Sequence, residues 1–303
     1  MLFCRMPRIY YGNLPTEQSN PRSRAIDHHP IQTVLKIMNK EDSSVPKAVA
    51  KTLPSIEKGI KLIVRSLRQG GRLFFAGAGT SGRLGVIEAA ECPPTFNTPP
   101  SLVQAVIAGG RKAVFRSQEG AEDRYDEGFQ IFSSKIKKSD ILVGIAASGV
   151  TPFVQGALEA AKKKGASTIL VTCNAKLVSN KLIDCLIAPA VGPEVISGST
   201  RLKAGTATKL VLNMLTVTAM IQMGKVYQNW MVDLQPKSKK LKARALRLVE
   251  RLGEVSSTEA QTYLHKAHNQ VKAAILMAKK GYDYKTATAK LKFTAGYLQK
   301  AIF

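Results

Sequence analysis

Cysteine, aromatic side chains and acidic residues are all scarce in this sequence. The chain has 303 residues and four cysteines, Cys4, Cys92, Cys173 and Cys185. They are scattered, without the paired spacing of a zinc or dithiol site, which excludes a disulfide scaffold and leaves them as small apolar residues. Aromatics make up 6% of the chain and include a single tryptophan. None is interleaved with the basic clusters Lys162–Lys164 and Lys237–Lys242, so a base-stacking surface has no support and nucleic acid is not an expected partner. The short apolar runs, such as Ile141–Ala147, are too short to cross a bilayer. Residues 1–11 lack the apolar stretch of a signal peptide, so no membrane is expected and a cytoplasmic setting follows. Met6 offers an alternative start to Met1. Acid is outnumbered by base: 45 Lys and Arg stand against 21 Asp and Glu, a formal charge of +24. Such a field favours anionic ligands in general.

What the chain does have is rhythm. A Pro-punctuated arm runs to about Asn39, and Val45–Leu67 then shows apolar residues at helical spacing. Short apolar runs at Leu73–Phe75, Leu102–Ile107, Ile141–Ala146, Ser167–Thr172 and Cys185–Ala188 alternate with helical stretches. Alternation of this kind predicts an α/β domain, a parallel sheet with helices on both faces. Ala204–Met223 reads as a long apolar helix. From Lys237 the pattern is helical only, with segments near Leu241–Leu252, Ser257–His265, Gln270–Lys280 and Tyr284–Ala301. The expected organisation is an arm over 1–44, the α/β domain over 45–236 and a small helical bundle over 237–303.

Two strand-to-helix turns share one design. The first is Gly77-Ala78-Gly79-Thr80-Ser81-Gly82 and the second Ala147-Ser148-Gly149-Val150-Thr151-Pro152. In a parallel sheet both fall at the carboxyl ends of strands, where ligands bind. Free N–H groups at a helix start favour an anion, and Thr80, Ser81, Ser148 and Thr151 add hydroxyl donors. Gly79 and Gly149 allow close approach. Gly77, Gly79 and Gly82 also match the dinucleotide pattern G-x-G-x-x-G. The next strand, however, runs into Ala108-Gly109-Gly110-Arg111, with no carboxylate for a ribose. No Gly-Lys-Ser/Thr follows either, so nucleotide cofactors are set aside and no cofactor is expected. A third hydroxyl-rich cluster opens the long helix: Glu194, Ser197, Ser199, Thr200 and Lys203. There Glu194 could bond a sugar hydroxyl and the lysine could neutralise an anion. His28, His29, His265 and His268 have no acidic or cysteine neighbours that complete a metal site. Glu88 and Glu91 lie three residues apart on the helix after the first turn, ahead of the Pro93-Pro94 pair expected to end it. Glu119, Glu122 and Asp123 follow the second strand. Composition alone singles out neither group.

The stretches Gly77–Gly85, Ala90–Thr95, Ile107–Gly110, Glu119–Asp123 and Gly144–Gly149 resemble the N-acetylmuramic acid 6-phosphate etherases. The segment Glu194–Thr206 resembles a signature that these share with glucokinase regulatory proteins. The likeness extends from Thr16-Glu17-Gln18 into the C-terminal bundle. It implies a doubly wound (flavodoxin-like), mainly five-stranded parallel sheet of the sugar-isomerase type, working as a homodimer with the site near the interface. It also implies cleavage of the lactyl ether of a sugar phosphate without a metal. By motif position, the proton-donating carboxylate falls on Glu91 and the basic one on Glu122. Gly79, Thr80, Ser81, Ser148, Gly149, Thr151, Glu194, Ser197, Ser199, Thr200 and Lys203 become the phosphosugar-binding candidates. The segment Ala25–Gln32 departs from the family in its histidines, and the family does not explain the positive charge. Two rivals are a non-catalytic phosphosugar sensor and a DNA-binding regulator. The first is disfavoured by the presence of both carboxylates, the second by the absence of a helix-turn-helix before residue 70.

Overall fold

The computed structural model describes residue 12 and residues 14–177, 180–236 and 238–303. Cys4, both candidate starts and Lys237 lie outside them. Five strands, β1 (Leu73–Gly77), β2 (Val103–Ile107), β3 (Ile141–Ile145), β4 (Ser167–Val171) and β5 (Cys185–Ile187), form one sheet in the order β2-β1-β3-β4-β5. The β1–β3, β3–β4 and β4–β5 pairs are parallel, with Gly77 opposite Ile145 and Ile145 opposite Val171. β1 and β3 are buried at every position, so they read as continuous apolar runs rather than alternating ones. Chain order reverses direction between β1 and β3, which places the topological switch point of the sheet there.

Helices follow the strands. They are α1 (Ile31–Asp42), α2 (Val45–Ala50), α3 (Leu53–Arg68), α4 (Gly79–Phe96), α5 (Lys112–Phe115), α6 (Tyr125–Lys135), α7 (Pro152–Lys163) and α8 (Lys203–Gln222). After residue 238 come α9 (Lys239–Gly253), α10 (Ser257–Lys266), α11 (Val271–Lys280), α12 (Tyr284–Phe293) and α13 (Leu298–Ile302). The chain forms two compact units. One runs up to Ile87 and takes in Gln104–Leu215; the other is Glu88–Val103 with Thr216–Phe303. This division passes through α4 and α8. The sheet core is built on Phe74, Leu142, Phe153, Leu158 and Leu170. The second unit has its own core, in which Leu248, Val249, Ile275, Leu276 and Ile302 are buried.

Several local readings are corrected. The arm is not irregular up to Asn39, because α1 begins at Ile31. Its apolar Ile31 and Leu35 are exposed, so they mark no core face in the sequence. The 45–67 stretch is two helices: Pro54 has no N–H to continue the ladder from α2, and α3 restarts behind Thr52. The helix after the first turn does not end at Pro93-Pro94 but continues to Phe96, with the Asn97 N–H bonded to the Pro93 carbonyl at 2.9 Å. The cap of α10 is Ser256, in a capping box with Glu259. The 284–301 segment breaks into α12 and α13 where Ala295 and Gly296 turn left-handed, at φ of 50° and 83°. Among the described residues α8 is the one helix long and apolar enough to cross a membrane, and more than half of it is buried in the protein. Its apolar character therefore serves the core.

Candidate active site

The first turn leaves β1 at Gly77 and enters α4 at Gly79. A Cβ on Gly77 would lie 2.7 Å from the Gly82 nitrogen and 2.9 Å from the Ser81 carbonyl carbon. Strand and helix thus meet backbone to backbone, and the glycines serve that approach. Thr80 and Ser81, half-buried, sit on the first turn of α4. The Thr80 methyl is 3.6 Å from where a Cβ on Gly205 would stand, so the starts of α4 and α8 are neighbours.

The second turn leaves β3 beside the first, across the switch point. Gly149 adopts φ +81°, and a Cβ there would meet Leu177 at 2.9 Å and the Thr172 hydroxyl at 3.0 Å. The loop is pinned from several directions. The Thr172 hydroxyl donates to the Ala147 carbonyl (3.0 Å), the Asn174 amide to the Ser148 carbonyl (3.1 Å) and the Gln155 amide to the Gly149 carbonyl (2.9 Å). Thr151 precedes α7 and gives it no side-chain cap. Glu122 reaches this turn through its backbone, where its carbonyl accepts the Phe153 N–H at 3.0 Å. That N–H belongs to the first turn of α7, where donors lack intrahelical partners. A Cβ on Gly156 would stand 2.2 Å from the Tyr125 carbonyl oxygen, and one on Gly128 2.1 Å from that of Phe153. The close packing of α6 on α7 fixes the 122–125 segment there. The Glu122 side chain is exposed.

The third cluster is used differently from its sequence reading. Glu194 is 1% exposed, and its carboxylate accepts the backbone N–H groups of Lys203 and Ala204, both at 2.9 Å. It caps α8. Burial pushes its carboxyl pKa up, opposed by those two bonds. Lys203 is 0% exposed, and its ammonium donates to Glu41 at 2.7 Å. Both groups, expected to meet a sugar hydroxyl and an anion, thus make structural bonds inside the protein. Ser197 stays exposed, and Ser199 and Thr200 half-exposed, on the loop between them.

Glu91 belongs to the second compact unit, as does Glu88. The two separate cleanly. Glu88 is buried and accepts the Thr216 hydroxyl at 2.5 Å, whereas Glu91 is exposed. Cys92 beside them is buried, and that burial, with Glu88 and Glu91 adding, holds its thiol up at about 12. Among the described residues no group of three or more His, Cys, Asp or Glu could hold a metal ion. A cavity of about 840 Å³ lies wholly in the second unit, where Lys272 bonds Asp233 and the Gly224 and Gly296 carbonyls. It touches none of the turns above.

Sequence reading missed Glu41, Asn20, Thr172, Asn174 and Gln155. Thr172 and Asn174 follow β4 at its carboxyl end, a position that was a signal in itself. Glu41 left none, since its partner Lys203 is 162 residues away.

Residues 55–162 match the family model of the glucokinase regulatory protein N-terminal SIS domain. The chain is 48% identical over 296 residues, 96% of its length and 95% of the other, to N-acetylmuramic acid 6-phosphate etherase 2 of Vibrio cholerae. It is 45% identical to the N-acetylmuramic acid 6-phosphate etherase of Geobacillus thermodenitrificans, covering 96% and 99% of the two chains. Among solved structures it is similar to a phosphoheptose isomerase from Neisseria gonorrhoeae, at 16% identity, 63% and 98% coverage and a TM-score of 0.46. By its identity to the etherases over almost its whole length, the chain belongs to the N-acetylmuramic acid 6-phosphate etherase family.

Proposed function

We propose that this protein cleaves the D-lactyl ether of N-acetylmuramic acid 6-phosphate to give N-acetylglucosamine 6-phosphate and D-lactate. The observation that carries this reading is the 48% identity to a named etherase over 296 residues. In the ring-opened sugar the C1 aldehyde acidifies the C2 hydrogen. Glu122 takes that proton; the C3–oxygen bond breaks, and Glu91 protonates the departing lactyl oxygen. Water then adds across the resulting unsaturated aldehyde, its hydroxyl to C3 and a proton to C2, which restores the sugar. The 6-phosphate is held by Thr80 and Ser81 at the start of α4 and by Ser148, Gly149 and Thr151 before α7, with Ser197, Ser199 and Thr200 completing the site. Two helix starts flanking one switch point support this assignment, because the dipole at a helix start favours an anion. A homodimer acting in the cytoplasm is part of the same reading and is supported by the family resemblance.

The test is lactate release from N-acetylmuramic acid 6-phosphate by the purified protein with chelator present. Turnover at enzymatic rates is expected. The second reading, a non-catalytic phosphosugar sensor, is not favoured by the etherase identities, although residues 55–162 match a glucokinase-regulator domain. Tight binding of the sugar phosphate without lactate would select that non-catalytic sensor.

A further inference from the structure

The loop carrying Ser197, Ser199 and Thr200 is tied to the N-terminal segment at four points. The Gly198 N–H donates to the Thr16 carbonyl (3.0 Å), the Asn20 amide to the Pro193 carbonyl (3.3 Å) and the Ser23 hydroxyl to the Val195 carbonyl (2.7 Å). The fourth tie is Glu41. One of its carboxylate oxygens accepts from Asn20 at 2.8 Å, from the Arg22 guanidinium at 3.1 Å and from the Lys203 ammonium at 2.7 Å; the other accepts from Arg22. Glu41 and Lys203 are 3% and 0% exposed. Lys203 is in turn fixed at its backbone N–H by Glu194. Two carboxylates therefore hold one lysine, one at each end, where the loop becomes α8.

An ion pair this buried adds little net stability over an apolar pair of similar volume, because desolvation offsets most of the attraction. Its distinctive effect is geometric: only one arrangement of strap, loop and helix satisfies all the donors. We propose that Glu41 is a positioning residue, which through Lys203, Asn20 and Arg22 clamps residues 14–23 onto the 193–203 loop and holds Ser197, Ser199 and Thr200 in their phosphosugar-binding arrangement. This rests on the phosphosugar reading above. Glu41 touches no reacting atom, so its loss should weaken binding and leave the chemical step alone.

The experiment measures the Kd of N-acetylglucosamine 6-phosphate by calorimetry, with KM and kcat for lactate release, in wild type, Glu41→Gln and Ser23→Ala. Circular dichroism establishes the folded fraction of each. Glu41→Gln should raise Kd and KM at least tenfold with kcat within threefold of wild type. Ser23→Ala, which deletes one hydroxyl and so keeps the fold, should raise Kd two- to threefold. Folded variants with wild-type Kd would overturn the proposal, as would a fall in kcat at unchanged KM. A wild-type protein that binds the sugar phosphate but releases no lactate would defeat the etherase reading alone, and the Kd comparison would still decide the role of Glu41. A wild-type protein that binds no sugar phosphate would overturn both.

Discussion

Replacing Glu91 or Glu122 by Gln removes a proton donor or a proton acceptor with little change in side-chain volume. Glu91→Gln and Glu122→Gln should each lower lactate release by on the order of 10²–10⁴-fold, with the Kd of N-acetylglucosamine 6-phosphate unchanged. Near-normal turnover in either would reassign the acid–base pair. Glu41 makes a different prediction, about pH. The Arg22 guanidinium foremost, with Lys203 and Asn20, outweighs burial and holds its carboxyl at about 2, below the ordinary 4.5. A depressed folded-state pKa contributes stability that is complete above about 4.5 and is lost as pH falls toward about 2. In Glu41→Gln that dependence should be absent, so the unfolding free energies of wild type and variant should converge between pH 4.5 and 2. Parallel curves would mean that the group does not titrate in this way. At this scale sequence was an uneven guide. Motif position alone pointed to Glu91 rather than Glu88, and the fold distinguishes the two by environment, with Glu88 buried against Thr216 and Glu91 exposed. The partner of Lys203 was not legible, because its sequence neighbours are hydroxyls and cations while the carboxylate that pairs with it belongs to α1.

In the proposed site the two turns are the elements that hold the anion. Gly77 has no room for a methyl group: a Cβ would press on the backbone of Ser81 and Gly82, which cannot rotate away. Gly77→Ala should therefore destabilise by about 1–3 kcal/mol and weaken binding of N-acetylglucosamine 6-phosphate, because the start of α4 must shift. Urea unfolding and calorimetry on one preparation would check both, and loss of stability with unaltered affinity would remove this turn from the site. The strands were legible because buried parallel strands are short unbroken apolar runs, as Leu73–Gly77 and Ile141–Ile145 are. Three helices escaped for physical reasons. Apolar Ile31 and Leu35 on α1 face solvent, α5 has only four residues, and α6 approaches α7 closely at Gly128 and Gly156, which carry no apolar signal.

Across the molecule, the charge of +24 stands beside a proposed site in which Lys203 is already paired with Glu41. Lys203 cannot serve the phosphate while Glu41 holds it, and Arg83 donates to the Val114 carbonyl. The donors left at the turns are hydroxyls and backbone N–H groups, which are neutral. The positive surface field adds cationic help for a phosphate dianion, and it acts at a distance. Such a field raises the rate of encounter more than it strengthens the bound complex, and it fades as salt shortens its reach. The Debye length falls from about 20 Å near 20 mM to under 10 Å near 200 mM salt. Over that range kcat/KM should drop by roughly tenfold while kcat stays constant. The same titration with the Glu41→Gln protein should run parallel, displaced downward, since the field is intact and only the fixed geometry is lost. A kcat/KM flat in salt would show that the positive surface lies away from the approach to the turns, so that neutral donors and helix dipoles alone bind the phosphate.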